Sequence, residues 1–282
     1  MTLDLTGWTR EDQVVQEILA PGPARGFAAL LDRDTSEVHD GAILPVGWHW
    51  FYMNPAVPRS EWGEDGHPRR GSFLPPIPLP RRMWAGGRLR FLAPLKLGQR
   101  AERRSRVLTV EEKTGRSGRF VLATVSHTIS GPDGVAIEEE QDLIYRDPPE
   151  GKSKYAGGAV PPANAEEWSE PYRTDPVVLF RFSALTSNGH RIHYDHPYTT
   201  EVEGYPGLVV HGPLQALLLL EAASARAGVR PVGFRYRAVS PVFVGEPLEL
   251  RGGPAKEGVM DVRAVGPRGP TMQASAEFGA GG

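Results

Sequence analysis

The feature that most constrains this chain is that part of it occurs twice. Gly86-Gly87-Arg88-Leu89-Arg90-Phe91-Leu92-Ala93-Pro94-Leu95-Lys96-Leu97-Gly98 lines up without gaps on Gly233-Phe234-Arg235-Tyr236-Arg237-Ala238-Val239-Ser240-Pro241-Val242-Phe243-Val244-Gly245. Glycine, arginine, arginine, proline and glycine coincide, and the apolar positions largely agree. Upstream, Phe27-Ala28-Ala29-Leu30 echoes Phe182-Ser183-Ala184-Leu185, and Ala42–Pro45 running into Trp48–Tyr52 echoes Leu208–Pro213 running into Leu214–Leu220. Each half therefore reads as a short lead-in helix, one buried helix and several antiparallel strands. A meander of strands buries its apolar face by wrapping around such a helix. Two such units can pair their sheets edge to edge and so remove exposed edges. The expected class is α+β, two antiparallel sheets each wrapped around a central helix. The expected boundaries are a first unit over 1–150, a linker over 151–176 and a second unit over 177–282.

Local signals fill in this outline. Thr9 as an N-cap, Asp12 three residues on, and Val14, Val15, Ile18 and Leu19 at helical spacing predict a first helix that Pro21-Gly22-Pro23 stops. Phe27–Leu31 predicts a second short helix. Residues 54–82, rich in proline, glycine and arginine, read as a loop or extended strap. Their Leu74-Pro75-Pro76-Ile77-Pro78-Leu79-Pro80 run lacks the basic residue spacing of a polyproline ligand. Val107–Val110, Phe120–Ile129 and Leu143–Tyr145 predict strands, with turns at Gly115–Gly118 and Gly131–Gly134. Strands return from Phe234, with turns at Gly252-Gly253-Pro254 and Gly266–Pro270.

Composition excludes several functions. A net charge of -2 over 282 residues gives no footprint for nucleic acid or an acidic membrane surface. The absence of cysteine removes disulfides, thiolate catalysis and cysteine-based zinc sites. The apolar run around Ala216–Leu220 is too short to span a bilayer, and Met1–Leu5 does not resemble a signal peptide. The expectation is a cytoplasmic protein with no membrane or nucleic-acid partner.

Chemistry concentrates in Thr186-Ser187-Asn188-Gly189-His190-Arg191-Ile192-His193-Tyr194-Asp195 and in the following Val209-Val210-His211-Gly212-Pro213-Leu214. Pro213 suits the first turn of a helix, and Gly212 offers an amide that a substrate can approach without meeting a Cβ. The helix dipole adds positive potential there. A polar loop beside a helix N-terminus can place a proton-transfer group next to an oxyanion-binding amide. The bland alternative is a backbone-bonded histidine and a well-started core helix. His190, His193 and His196 match no common metal-ligand spacing, and Asp195, ahead of Pro197, reads as a helix cap.

Taken together, Thr186–Asp195, Val210–Leu214 and Pro241–Glu246, in this order, resemble the signature of the MaoC-like (R)-specific enoyl-thioester hydratases, which have the hot-dog fold. The first half, with Arg82-Met83-Trp84-Ala85-Gly86-Gly87 and Lys113–Gly118, resembles the N-terminal dehydratase-like unit of two-domain members. These include mesaconyl-C4-CoA (3-methylfumaryl-CoA) hydratases and type 2 hydroxyacyl-thioester dehydratases. The resemblance implies a double hot-dog in which the second unit carries the catalysis. It departs from the general family at Asn188, where an aspartate forms a dyad with the catalytic histidine, and at His190, where the family has asparagine. Asn188 cannot take a proton but can hold water or a thioester oxygen, which leaves His193 as the base.

The implied activity is a hydro-lyase adding water to a 2-enoyl-CoA, with mesaconyl-C4-CoA to citramalyl-CoA foremost and fatty-acid-type dehydration or itaconyl-CoA hydration as alternatives. No metal or redox cofactor is implied. His193 and Asn188 form the catalytic pair, and Gly212 and His211 flank the oxyanion position. A substrate carboxylate would call for a cation, with Arg88, Arg191, Arg235 and Arg237 as candidates. A hot-dog thioesterase would place a carboxylate on the buried helix, where Gln215 and Glu221 fit poorly. A non-catalytic acyl-CoA binder is the remaining alternative. Two units in one chain already supply a pseudo-dimer, so a homodimer is possible but not required.

Overall fold

The computed structural model describes residues 3–115, 118–147 and 158–279. The tip of the Gly115–Gly118 turn and residues 151–157 of the expected linker lie outside them. The strands are β1 (Gln13–Ile18), β2 (Arg81–Phe91), β3 (Arg100–Gly115), β4 (Gly118–Gly131), β5 (Gly134–Arg146), β6 (Trp168–Tyr172), β7 (Pro231–Ala238), β8 (Leu248–Gly252), β9 (Val259–Gly266) and β10 (Gly269–Phe278). The α-helices are α1 (Pro21–Leu30), α2 (Pro176–Leu185) and α3 (Gly212–Ala227). All strands join one ten-stranded antiparallel sheet in the order β1-β3-β4-β5-β2-β7-β10-β9-β8-β6.

The two copies of the repeat meet at the centre of this sheet. β2 pairs with β7 so that Gly86 faces Arg237, Arg88 faces Arg235 and Arg90 faces Gly233. Arg88 and Arg235 are aligned residues of the repeat, so a pseudo-twofold axis passes between them. The equivalence extends outward. The Leu44 N–H donates to Leu95 O at 2.8 Å, and the Val210 N–H donates to Val242 O at 2.9 Å. Bridges Ile43↔Lys96 and Val209↔Phe243 also match. α1 and α2 pack together, with the Phe27 and Phe182 rings 6.0 Å apart. The fold is a double hot-dog whose two sheets run on into one. β1 and β6 are equivalent edge strands, and β6 lies within the stretch expected as linker.

Two local expectations are corrected. The stretch expected as a helix over Thr9–Leu19 forms β1, which pairs with β3 from Gln13↔Ser105 to Ile18↔Arg100. Val14, Val15 and Ile18 fit a pleated surface as well as a helix, and so short a helix is marginal without tertiary support. Pro21-Gly22-Pro23 opens α1 where a helix end was expected, because proline suits the first turn. The second correction concerns the central helices. α3 is buried on every side from Leu214 to Leu220, with Leu214, Ala216, Leu217 and Leu219 fully buried. Its counterpart in the first half is a single 3-10 turn, Trp48–Phe51. Pro55 and Pro58 prevent that turn from propagating. Bulky Trp48, Phe51 and Tyr52, all buried, fill the space instead, with Phe27 and Trp48 edge to face at 5.1 Å. No helix among the described residues is long and apolar enough to cross a membrane.

Candidate active site

The polar loop grows from the end of α2. The Thr186 hydroxyl donates to Phe182 O at 2.8 Å, and the Asn188 N–H reaches back to Ser183 O at 2.8 Å. Asn188 Oδ1 accepts the His190 N–H at 3.0 Å, an Asx turn that leaves Nδ2 as a donor. A 3-10 turn over Arg191–His193 follows. Arg191 pairs with Asp195 at 2.8 Å, and Asp195 caps the next turn by accepting the Tyr198 N–H at 3.1 Å. This loop has no counterpart in the first unit. The chain runs from Leu30 to Ile43 there, but from Leu185 to Val209 here.

His193 is buried, and its Nδ1 lies 2.7 Å from Val209 O. A carbonyl only accepts, so Nδ1 carries the proton and Nε2 keeps its lone pair. Burial pushes the His193 pKa down to about 4, partly opposed by the Val209 bond. The imidazole is therefore neutral at neutral pH. The His211 ring stacks on it at 3.6 Å and 17°. His211 is fully buried, with Nε2 2.8 Å from Ser183 Oγ, so it buttresses His193 and does not line the cavity. The Val209 N–H donates to Ile192 O at 2.9 Å, which ties the loop to the segment leading into α3.

A cavity of about 570 Å³ opens between the two units. Asn188, His190, His193, Gly212 and Gln215 line it from the second unit. Gly212 opens α3, where the first N–H groups have no intrahelical acceptor and the dipole is positive. Any Cβ there would lie 2.8 Å from Trp84 Cε3, so glycine is required by space. Trp84 belongs to the first unit. It stacks on Tyr236 at 4.3 Å and meets Trp50 edge-on at 5.7 Å. Trp50 Nε1 donates to buried Glu139 at 2.9 Å, and His49 Nε2 bonds the same carboxylate at 2.9 Å. The shortened helix of the first unit thus braces one wall of the site.

The strap of residues 54–80 supplies another wall, and this role was not visible in the sequence. Asp65 and His67 line the cavity. The Arg191 N–H donates to Asp65 O at 2.9 Å, Arg191 Nη1 donates to Glu64 O at 3.0 Å, and the His67 and His190 rings lie 4.5 Å apart. Burial lowers the pKa of His67, with the charge of Arg82 adding to it. Burial, then His193 and Arg82, take His190 down to about 2. Donor atoms of Asp65, His67 and His190 lie within 4.8 Å of one another.

The structure separates the arginines singled out in the sequence from the cavity. Arg88 pairs with Glu140 and Asp142, Arg235 with Glu277, and Arg237 with Gln273, all on the exposed outer face of the sheet. Arg191 is held by Asp195 and by the Tyr198 ring at 4.1 Å. The cations that line the cavity are Arg81, Arg82 and Arg146, from β2 and β5 of the first unit. Arg81 and Arg82 share a signal of position, since β2 is the strand of the first unit that borders the second, and Arg146 faces Arg81 from the neighbouring β5.

Comparisons with known proteins agree with this fold. Residues 47–244 match the family described as hydroxyacyl-thioester dehydratase type 2. A mesaconyl-C(4)-CoA hydratase of Chloroflexus aurantiacus is 42% identical over 277 residues, covering 98% of each chain. In structure, a MaoC-like dehydratase from Phytophthora capsici superposes with a TM-score of 0.69 at 14% identity, covering 99% of this chain and 98% of that one. A Mycobacterium tuberculosis protein described as having a double hotdog fold gives 0.59 at 15% identity, covering 97% and 96%. At such identities the structural likenesses speak for the fold.

Proposed function

Because the chain belongs to the hydroxyacyl-thioester dehydratase type 2 family, we propose that it is a hydro-lyase converting mesaconyl-C4-CoA to citramalyl-CoA. The observation that carries the substrate is the 42% identity across 98% of both chains to the Chloroflexus hydratase. The cavity supports the chemistry. His193 Nε2 takes a proton from water, whose oxygen bonds to the β-carbon. The C=C electrons shift toward the thioester, and negative charge collects on its oxygen. The Gly212 N–H at the positive end of α3 stabilises that charge. The imidazolium returns the proton to the α-carbon. Asn188 Nδ2 donates to the water oxygen and orients its lone pair. The same steps in reverse dehydrate a 3-hydroxyacyl thioester, the reaction in the family's description.

Thioester hydrolysis is the weaker reading. Gln215 is the polar side chain α3 offers to the cavity, with Oε1 accepting the Thr271 hydroxyl at 2.6 Å. Glu221 accepts from Trp48 Nε1 at 2.5 Å and does not line the cavity. The test incubates purified protein with mesaconyl-C4-CoA, crotonyl-CoA and a long-chain enoyl-CoA. Conjugated-thioester absorbance is expected to fall fastest with mesaconyl-C4-CoA, without release of thiol. Thiol release would mean a thioesterase, and binding without turnover would mean an acyl-CoA binder.

A further inference from the structure

Three arginines and two carboxylates line the cavity. Two of these charges answer each other. Arg81 Nε pairs with Glu203 at 2.9 Å, and its guanidinium covers the Tyr205 ring at 5.4 Å. Asp65 Oδ1 accepts the His67 backbone N–H at 2.9 Å. Arg82 differs. It is half-buried, and among the described residues it makes no ion pair. Around it lie the Tyr145 hydroxyl, the rings of His67 and His190, a second cation in Arg70, and Asp65, which lines the same cavity without pairing to it. A half-buried guanidinium with no ion-pair partner keeps its donors open to an incoming anion.

Its position matches where the substrate's charge must fall. In mesaconyl-C4-CoA the β-carbon that receives water also carries the free carboxylate. That carboxylate therefore sits beside the histidine that activates the water. His190 is one ring from His193, at 5.6 Å, and one ring from His67, at 4.5 Å. Both His190 and His67 feel the charge of Arg82. Resting on the substrate reading above, we propose that Arg82, flanked by His67 and His190, receives the substrate carboxylate and sets the preference for a dicarboxylic acyl thioester. Neutral imidazoles can each donate one N–H, and the guanidinium can bind both carboxylate oxygens. Neutralising the carboxylate also lessens its repulsion of the oxygen arriving at the same carbon. Arg146 is the remaining cation of the cavity and the natural competitor. It faces Arg81 across the β2–β5 ladder, and its Nε is buried without a partner.

The test compares wild type, Arg82→Gln, Arg82→Lys and Arg146→Gln by two readings. The first is the ratio of kcat/KM for mesaconyl-C4-CoA to that for crotonyl-CoA. The second is calorimetric binding of unreactive succinyl-CoA against butyryl-CoA, which differ by the same carboxylate. Arg82→Gln is expected to lower the kinetic ratio on the order of 100-fold and to erase the preference for succinyl-CoA. Arg82→Lys keeps the charge but loses the fork, so it should fall between. If Arg82→Gln does not fold, Arg82→Lys carries the same comparison. An unaltered ratio and preference in the Arg82 variants, or a collapse in Arg146→Gln instead, overturns the assignment. Failure of wild type to hydrate either thioester would count against the proposed reaction. The binding preference would still decide on Arg82.

Discussion

With His193 as the proposed base, its low pKa, about 4 through burial, sets how the reaction should respond to acid. The base must be neutral, so kcat/KM should stay level as pH falls through 6.5, the ordinary histidine value, and drop only near 4. A rate profile that breaks near 6.5 would remove His193 as the essential base. His193→Ala should lower kcat by about 10²–10⁴-fold while acyl-CoA binding persists, as followed by calorimetry. The burial of this histidine beside the start of α3 agrees with the place the order of motifs gave it. Its tautomer was not legible, because that depends on Val209 O, which only the folded loop brings to Nδ1. Arg82 was invisible for a related reason. Adjacent Arg81 and Arg82 read alike as residues, and only the fold gives Glu203 to one of them.

Among the elements, the strap matters out of proportion to its irregularity. Gly66, at φ 87°, lies so close to the site loop that a Cβ would stand 1.9 Å from Gly189 O. Gly71 on the same strap, at φ 103°, would meet nothing nearer than Pro76 Cβ at 3.8 Å. Both Gly→Ala changes should cost ~1–2 kcal/mol through backbone strain. Gly66→Ala alone should also displace the strap and lower kcat/KM, on the order of 10-fold or more. Thermal melts and steady-state rates separate the two effects, and equal activity in the two variants would free the strap from this role. The strap could be read as a loop from its prolines and glycines, but nothing local said what it covers. β1 escaped for a different reason, since Val-Val-x-x-Ile-Leu satisfies both the helical period and a half-buried strand. In the first half β4 was legible nearly end to end from Phe120–Ile129, while Val107–Val110 and Leu143–Tyr145 marked only parts of β3 and β5, whose remaining residues are largely polar.

For the whole molecule, the histidines kept neutral inside it set a common liability. Burial holds His127 and His193 near 4 and His190 near 2, and lowers His67 and His211 as well. In the unfolded chain each titrates near 6.5, so between 6.5 and the folded values the unfolded state binds more protons. Stability is thus full above 6.5 and lost as pH falls toward 4. The midpoint of thermal unfolding, followed by circular dichroism, should decline steadily over that window. A flat midpoint between 6.5 and 4.5 would show that these imidazoles are hydrated.

The pseudo-twofold at Arg88 and Arg235 has a further meaning when the two units are considered as one gene. In a dimer of identical subunits every substitution appears twice, so a change that suits one wall is also imposed on its mirror image. Here the copies are free to diverge. In the register of the repeat, Arg82 corresponds to Val229 and Trp84 to Pro231. On the assignment proposed for Arg82, substrate choice is a trait that a single codon in one copy can alter, while the other copy goes on supplying His193 and α3.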